Sequence, residues 1–123
     1  MFDKFKAMST MAALMKNKDQ LKAAGERVKA KSQEIRATGE GGGGAVRVTV
    51  SGQMKVLAVE LQPALVSGMA ADDRTRELAG NLIAEAVNNA NQSAQMQMKA
   101  LIEKEAKELG LPDLPGDITG LLA

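Results

Sequence analysis

The apolar pattern of this chain changes period part-way along, and a chain that does so cannot be wholly helical or wholly β. Up to residue 36 and again after residue 72, apolar residues recur at spacings of three, four and seven. Between Gly39 and Pro63 they alternate, with Val46, Val48 and Val50 interleaved by Arg47, Thr49 and Ser51. Alternation of this kind marks a strand with one covered face. The run Met54 to Leu61 after Gly52 is strand-like as well. A two-residue turn at Gly52-Gln53 would pair Val48 with Leu57 and Val46 with Val59. That register gives one apolar face of Val46, Val48, Val50, Leu57, Val59 and Leu61. A slip of one residue would bury the smaller set Met54, Val56 and Ala58 instead. Ile35 to Glu40 reads as a further short strand, with Gly41 to Gly44 as its turn, and Pro63 ends the sheet.

The flanking segments read as helices. Residues 2–33 contain no Pro and one glycine, Gly25, and Leu14, Leu21 and Val28 stand seven apart there, a series that Ile35 continues just beyond. Phe2, Phe5, Met8, Met11 and Met15 widen that seam at spacings of three and four. A second helix is expected over 72–109, capped by Asp72 or Asp73 and stopped by Gly110 and Pro112. Its stripe is Ala79, Ile83, Ala86, Val87, Ala90, Ala94, Met98, Leu101 and Ile102. The fold class is therefore α+β: two long helices about a small antiparallel sheet with strands near 35–40, 45–51 and 54–61. Residues 1–109 read as a single domain and 110–123 as a flexible tail. With Phe2 and Phe5 its only aromatics, the chain has little bulk for a large core, and self-association as a dimer is the expected remedy.

Composition also bounds the chemistry. There is no Cys and no His, which removes thiolate metal sites and the commonest general base. The glycine run is not a phosphate loop, because Gly44 leads into Ala45, Val46 and Arg47 and a strand, where a Lys followed by Ser or Thr and a helix would be needed. Asp72-Asp73 have no ligand partner at suitable spacing. Glu103, Glu105 and Glu108 among Lys99, Lys104 and Lys107 read as a solvated helix face with Glu103–Lys107 and Lys104–Glu108 pairs. Neither enzymatic activity nor a cofactor, metal or small-molecule substrate is expected. No apolar run is long enough to span a membrane and no signal h-region is present, so a soluble cytoplasmic chain without a membrane partner is anticipated.

Charge is where the sequence points to a partner. Net charge is +1, but residues 1–36 hold Lys4, Lys6, Lys16, Lys18, Lys22, Arg27, Lys29, Lys31 and Arg36 against Asp3, Asp19, Glu26 and Glu34. Lys18, Lys22 and Lys29 fall together on a helical wheel, with Lys16, Arg27 and Lys31 more loosely grouped. Lysines on a helix suit phosphates, and the absence of aromatics near them argues for the duplex backbone over stacked single strands. Lys16, Lys18, Lys22, Arg27, Lys29 and Lys31 are the candidate DNA contacts, with Lys99 and Lys104 secondary and Lys4 and Lys6 possible additions. Two other readings fit parts of the pattern. A prefoldin-like scaffold would grip protein clients with Phe2, Phe5, Met8 and Met11 at its tips. An N-terminal surface anchor would use Phe2 and Phe5 interleaved with Lys4 and Lys6.

The stretch Ala37-Thr-Gly-Glu-Gly-Gly-Gly-Gly-Ala-Val-Arg-Val-Thr-Val-Ser-Gly52 resembles the signature of the YbaB/EbfC nucleoid-associated proteins. In that family a Thr-Gly-Glu-x-Gly-x-Gly turn leads into a Val-Lys-Val-Thr-like strand. Val56 to Leu65, Asp72-Asp73 and Ala86-Val87-Asn88-Asn89-Ala90 are similar to the family at corresponding places. The resemblance implies a tweezer-like homodimer joined through its sheets, whose projecting helices bind double-stranded DNA in the nucleoid of a bacterium. It places Val46, Val48, Val50, Leu57, Val59 and Leu61 at the dimer interface.

Overall fold

A computed structural model describes residues 18–110. Helix α1 (Lys18–Glu34) is followed by strand β1 (Ala37–Gly41), a short 3-10 turn over Gly42–Gly44, β2 (Val46–Val50) and β3 (Val56–Leu61). Helices α2 (Pro63–Ala71) and α3 (Asp73–Glu108) complete the described chain. The sheet is antiparallel in the order β1-β2-β3. Phe2, Phe5, Met8, Met11, Leu14, Met15 and the tail beyond Gly110 lie outside the described residues.

The alternation in β2 is realised in full. Val46, Val48 and Val50 have no exposed surface, each burial contributing about 1.5–3 kcal/mol. Their cover is α3, which crosses β1 and β2 with Ala79, Ala86, Ala90 and Ala94 turned inward and fully buried. Small side chains on the helix and none on the strand let the two backbones meet. A Cβ at Gly39 would lie 2.7 Å from the carbonyl carbon of Asn89, and closer still to the amide of Ala90 and the carbonyl oxygen of Ala86. Gly41 faces the Leu82 carbonyl in the same way. These two glycines are packing surfaces. Chain reversal falls to Gly42, Gly43 and Gly44, with φ of 64°, 66° and 104°, a region L-residues enter at a cost.

The second turn departs from the sequence reading. Val48 lies opposite Val59 and Val46 opposite Leu61, two residues along from the expected pairing. A shift of two preserves the face taken by Val46, Val48, Val59 and Leu61, but a bulge between Thr49 and Val50 sets Val50 opposite Val56, which the sequence reading placed on the other face. The cause is a longer turn tied to α1. Gly52 donates its N–H to the Ser32 carbonyl at 2.9 Å, and Ser51 Oγ accepts from the amides of Gln53 and Lys55. Met54 sits at a φ of 63° to close the loop.

Helix α2 was not anticipated. Pro63 does end β3, but it also opens a helix, because Gln62 is extended (ψ 142°) and the ring occupies the first helical turn, where no N–H is needed. Asp72 then caps α3, its side chain accepting from the Arg74 amide at 3.0 Å. Helix α3 runs for 36 residues, about 54 Å, and outlasts the sheet. Its far half meets α1, where Met98 and Ile102 pack on Val28 and the two helices run antiparallel. No helix among the described residues is long and apolar enough to cross a membrane.

Candidate nucleic-acid interface

Helix α1 turns Ala24, Val28 and Ser32 toward α3, leaving two flanks for charge. At about 100° per residue, Lys18, Lys22 and Lys29 share one flank, and Arg27 and Lys31 share the other. All five are exposed, yet their surroundings differ. Arg27 Nε lies 3.2 Å from Glu105 Oε2 and Lys31 Nζ lies 2.8 Å from Glu105 Oε1. Among the described residues, Lys18, Lys22 and Lys29 enter no ion pair. The structure thus divides the basic arm into an open lysine stripe and a fastened pair. Lys99 and Lys104 are exposed on α3, and Lys16 precedes the described residues.

Glu105 was expected on a solvated face and is instead 2% exposed. It stands seven residues beyond Met98 and three beyond Ile102, so its spacing put it on the inward stripe. That was the signal by which sequence alone could have found it. The anticipated Glu103–Lys107 and Lys104–Glu108 pairs do not close among the described residues, consistent with the small return on exposed pairs.

The Lys31 hydrogen bond is the largest influence holding the Glu105 carboxyl below the usual carboxylate range; burial pushes the other way and the Arg27 hydrogen bond adds to the lowering. Lys31 is raised, first by its hydrogen bond to Glu105. A depressed carboxyl contributes stability that is present above its unfolded pKa and lost as pH falls through the folded value. A raised ammonium contributes stability that is present below its unfolded pKa and lost as pH rises through the folded value. The clamp should therefore be at full strength between about pH 5 and about pH 10. Denaturation midpoints measured across pH should show a shallower acid limb in Glu105→Gln than in the wild type. Equally steep limbs would remove Glu105 from the acid response.

The sheet offers a poorer surface for phosphate. On the face away from α3, Arg47 is opposite both Glu40 and Glu60, and it pairs with Glu40 at 3.0 Å. The row carries more negative than positive charge. Apolar exposure lies elsewhere: Val56, Leu57 and Val59 on β3 and Val66 on α2 are each 42–48% exposed, and Leu78 and Met96 on α3 are 51% and 69% exposed. Val46, Val48 and Val50, expected at a dimer contact, are already covered by α3 of the same chain, so their side chains form its core. Leu57, Val59 and the partly covered Leu61 are the members of that set still open to a partner.

The model of the YbaB/EbfC DNA-binding family matches residues 8–109. The chain belongs to that family. Among YbaB/EbfC relatives, a nucleoid-associated protein of Rhodopseudomonas palustris is 30% identical over 105 residues, covering 85% of this chain and 94% of the relative. One from Pelodictyon phaeoclathratiforme is 35% identical over 99 residues, covering 77% and 80%. A crystal structure of an uncharacterized Helicobacter pylori protein superposes with a TM-score of 0.59 at 20% identity, covering 72% of this chain and 88% of that one. It shares the fold. The resemblance read from Ala37 to Gly52 thus identified the family.

Proposed function

We propose that this YbaB/EbfC protein is a nucleoid-associated homodimer that binds duplex DNA with little sequence selectivity through its helical arms. The observation that carries this reading is the stripe Lys18, Lys22 and Lys29, exposed and without a carboxylate partner among the described residues. Compact ammonium groups on a helix suit phosphate oxygens and carry little base information. Lys99 and Lys104 add secondary contacts, and Lys16 extends the basic series in sequence. The names of the curated relatives support a nucleoid setting.

For the dimer, the support is an asymmetry between the two sheet edges. At β1 the Asn89 side-chain amide donates to the Glu40 carbonyl at 2.9 Å, and α3 lies overhead. Strand β3 is the other edge, and Val56, Leu57 and Val59 stay exposed beside Val66. An apolar edge strand left bare invites pairing. We therefore assign the subunit contact to β3 and α2.

A salt titration tests the reading. Anisotropy of a labelled random duplex should give log K falling linearly with log salt, with a slope near −0.9 per phosphate contacted. Sizing chromatography beside it should show a dimer that Val59→Lys converts to a monomer. Absence of binding at low salt, or binding indifferent to salt, would sink the DNA reading. A Val59→Lys variant that elutes as a dimer would move the contact elsewhere.

A further inference from the structure

Glu105 is a buried carboxylate that the proposed DNA contacts do not use. It sits where α3 has outrun the sheet, so β1 and β2 no longer brace the helix. There α1 is held by Val28 on Met98 and Ile102, and by Arg27 and Lys31 reaching over to Glu105. The cations come from α1 positions four apart, and each takes its own carboxylate oxygen. A helix gripped at two successive turns resists rotation about its axis in a way that the small apolar contact alone does not.

We propose that Glu105 is the positioning residue of the DNA-binding arm. It fastens one flank of α1 through Arg27 and Lys31, and so aims the opposite flank, with Lys18, Lys22 and Lys29, at the duplex. Arg27 and Lys31 then contribute fastening and no phosphate contacts, although by sequence they count among the arm's cations. The inference rests on the DNA-binding reading above. Its physical basis is competition. Two charge-assisted hydrogen bonds to a carboxylate shielded from solvent are strong and little screened by salt. The alternative partner is a solvated phosphate on the far side of the same helix. The depressed Glu105 carboxyl and raised Lys31 ammonium agree with a clamp that stays charged at neutral pH.

The test compares salt slopes on one random duplex. Arg27→Gln/Lys31→Gln should keep the wild-type slope while its affinity weakens. Where an unpaired Glu105 prevents that variant from folding, the neutral set Arg27→Gln/Lys31→Gln/Glu105→Gln keeps the comparison open and should give the same slope. A slope shallower by about 1.8 for each protomer engaged, two contacts at 0.9 each, would mean that Arg27 and Lys31 touch phosphate. That result overturns the proposal.

A second readout needs no DNA. The chain has no Cys, so spin labels on cysteines placed at the exposed positions Glu26 and Glu103 are site-specific. With labelled chain diluted in unlabelled chain, the inter-helix distance distribution should broaden in Glu105→Gln. An unchanged distribution would overturn the positioning role. Failure of the wild type to bind duplex at about 50 mM salt, with the distribution still broadening, would overturn the DNA reading and leave Glu105 a fastener of α1 alone.

Discussion

Replacing Lys18, Lys22 and Lys29 together by Glu should abolish duplex binding at physiological salt while leaving the fold and the oligomer unchanged. Each phosphate contact with a slope of 0.9 adds roughly 0.7 log units of affinity at 0.15 M salt, relative to 1 M. Losing three contacts therefore costs roughly 150-fold for each protomer engaged. The added carboxylates repel the backbone and deepen the loss. The fold should tolerate the change, because all three side chains are exposed and among the described residues pair with nothing. Lys and Glu also have similar helix propensity. Anisotropy against a random duplex reads the affinity, and circular dichroism with sizing reads the fold. Binding that survives would place the DNA surface elsewhere on the molecule.

The largest stability effect is expected at Gly39. Its missing Cβ is replaced in space by the backbone of α3 between Ala86 and Ala90, and backbone cannot turn aside as a side chain can. Gly39→Ala must lift α3 from β1, which uncovers the valines of β2. A loss of at least about 3 kcal/mol is expected, or a drop in Tm of at least about 12 °C for a domain this small. Gly25→Ala is the matched control. Nothing lies within 4 Å of a Cβ there, and a helix-interior alanine should add about 0.5–1 kcal/mol. A Gly39→Ala protein melting within a few degrees of the wild type would show that α3 does not press on β1.

What could be read in advance was what depends on neighbours in sequence. The alternation at Val46–Val50, the inward alanines of α3 and the cap at Asp72 are local patterns, and local patterns carry their own evidence. The register of β3 was not of this kind, because its turn is set by the Ser32 carbonyl, twenty residues upstream of Gly52. Nor could parity show that α3 covers β2 and leaves Val59 exposed, since both valines share a face and only the crossing of the helix separates them. Helix α2 is not legible in the sequence because Pro63 closes a strand and opens a helix with the same residue, and only the first of these roles shows in the linear pattern. Glu105 is hidden by its neighbours Lys104, Lys107 and Glu108, which give the segment the look of a wet surface, although its spacing from Met98 points inward. Proximity to α3, invisible in the linear chain, divided the arm's cations into two kinds.

The length of α3 has a consequence for how such a molecule can vary. One unbroken helix serves the sheet with its first half and the arm with its second. Inserting a single residue between Ala94 and Met98 would swing everything beyond by about 100° and carry Ile102 and Glu105 away from α1. An insertion keeps Ile102 and Glu105 facing α1 only when it adds close to a whole number of turns, about seven residues (about 10.5 Å) or about eleven (about 16.5 Å), matched on α1. The length of α3 beyond the sheet is therefore graduated, and a relative with a longer or shorter helix there should differ from this one by close to whole turns, in steps of about seven or eleven residues.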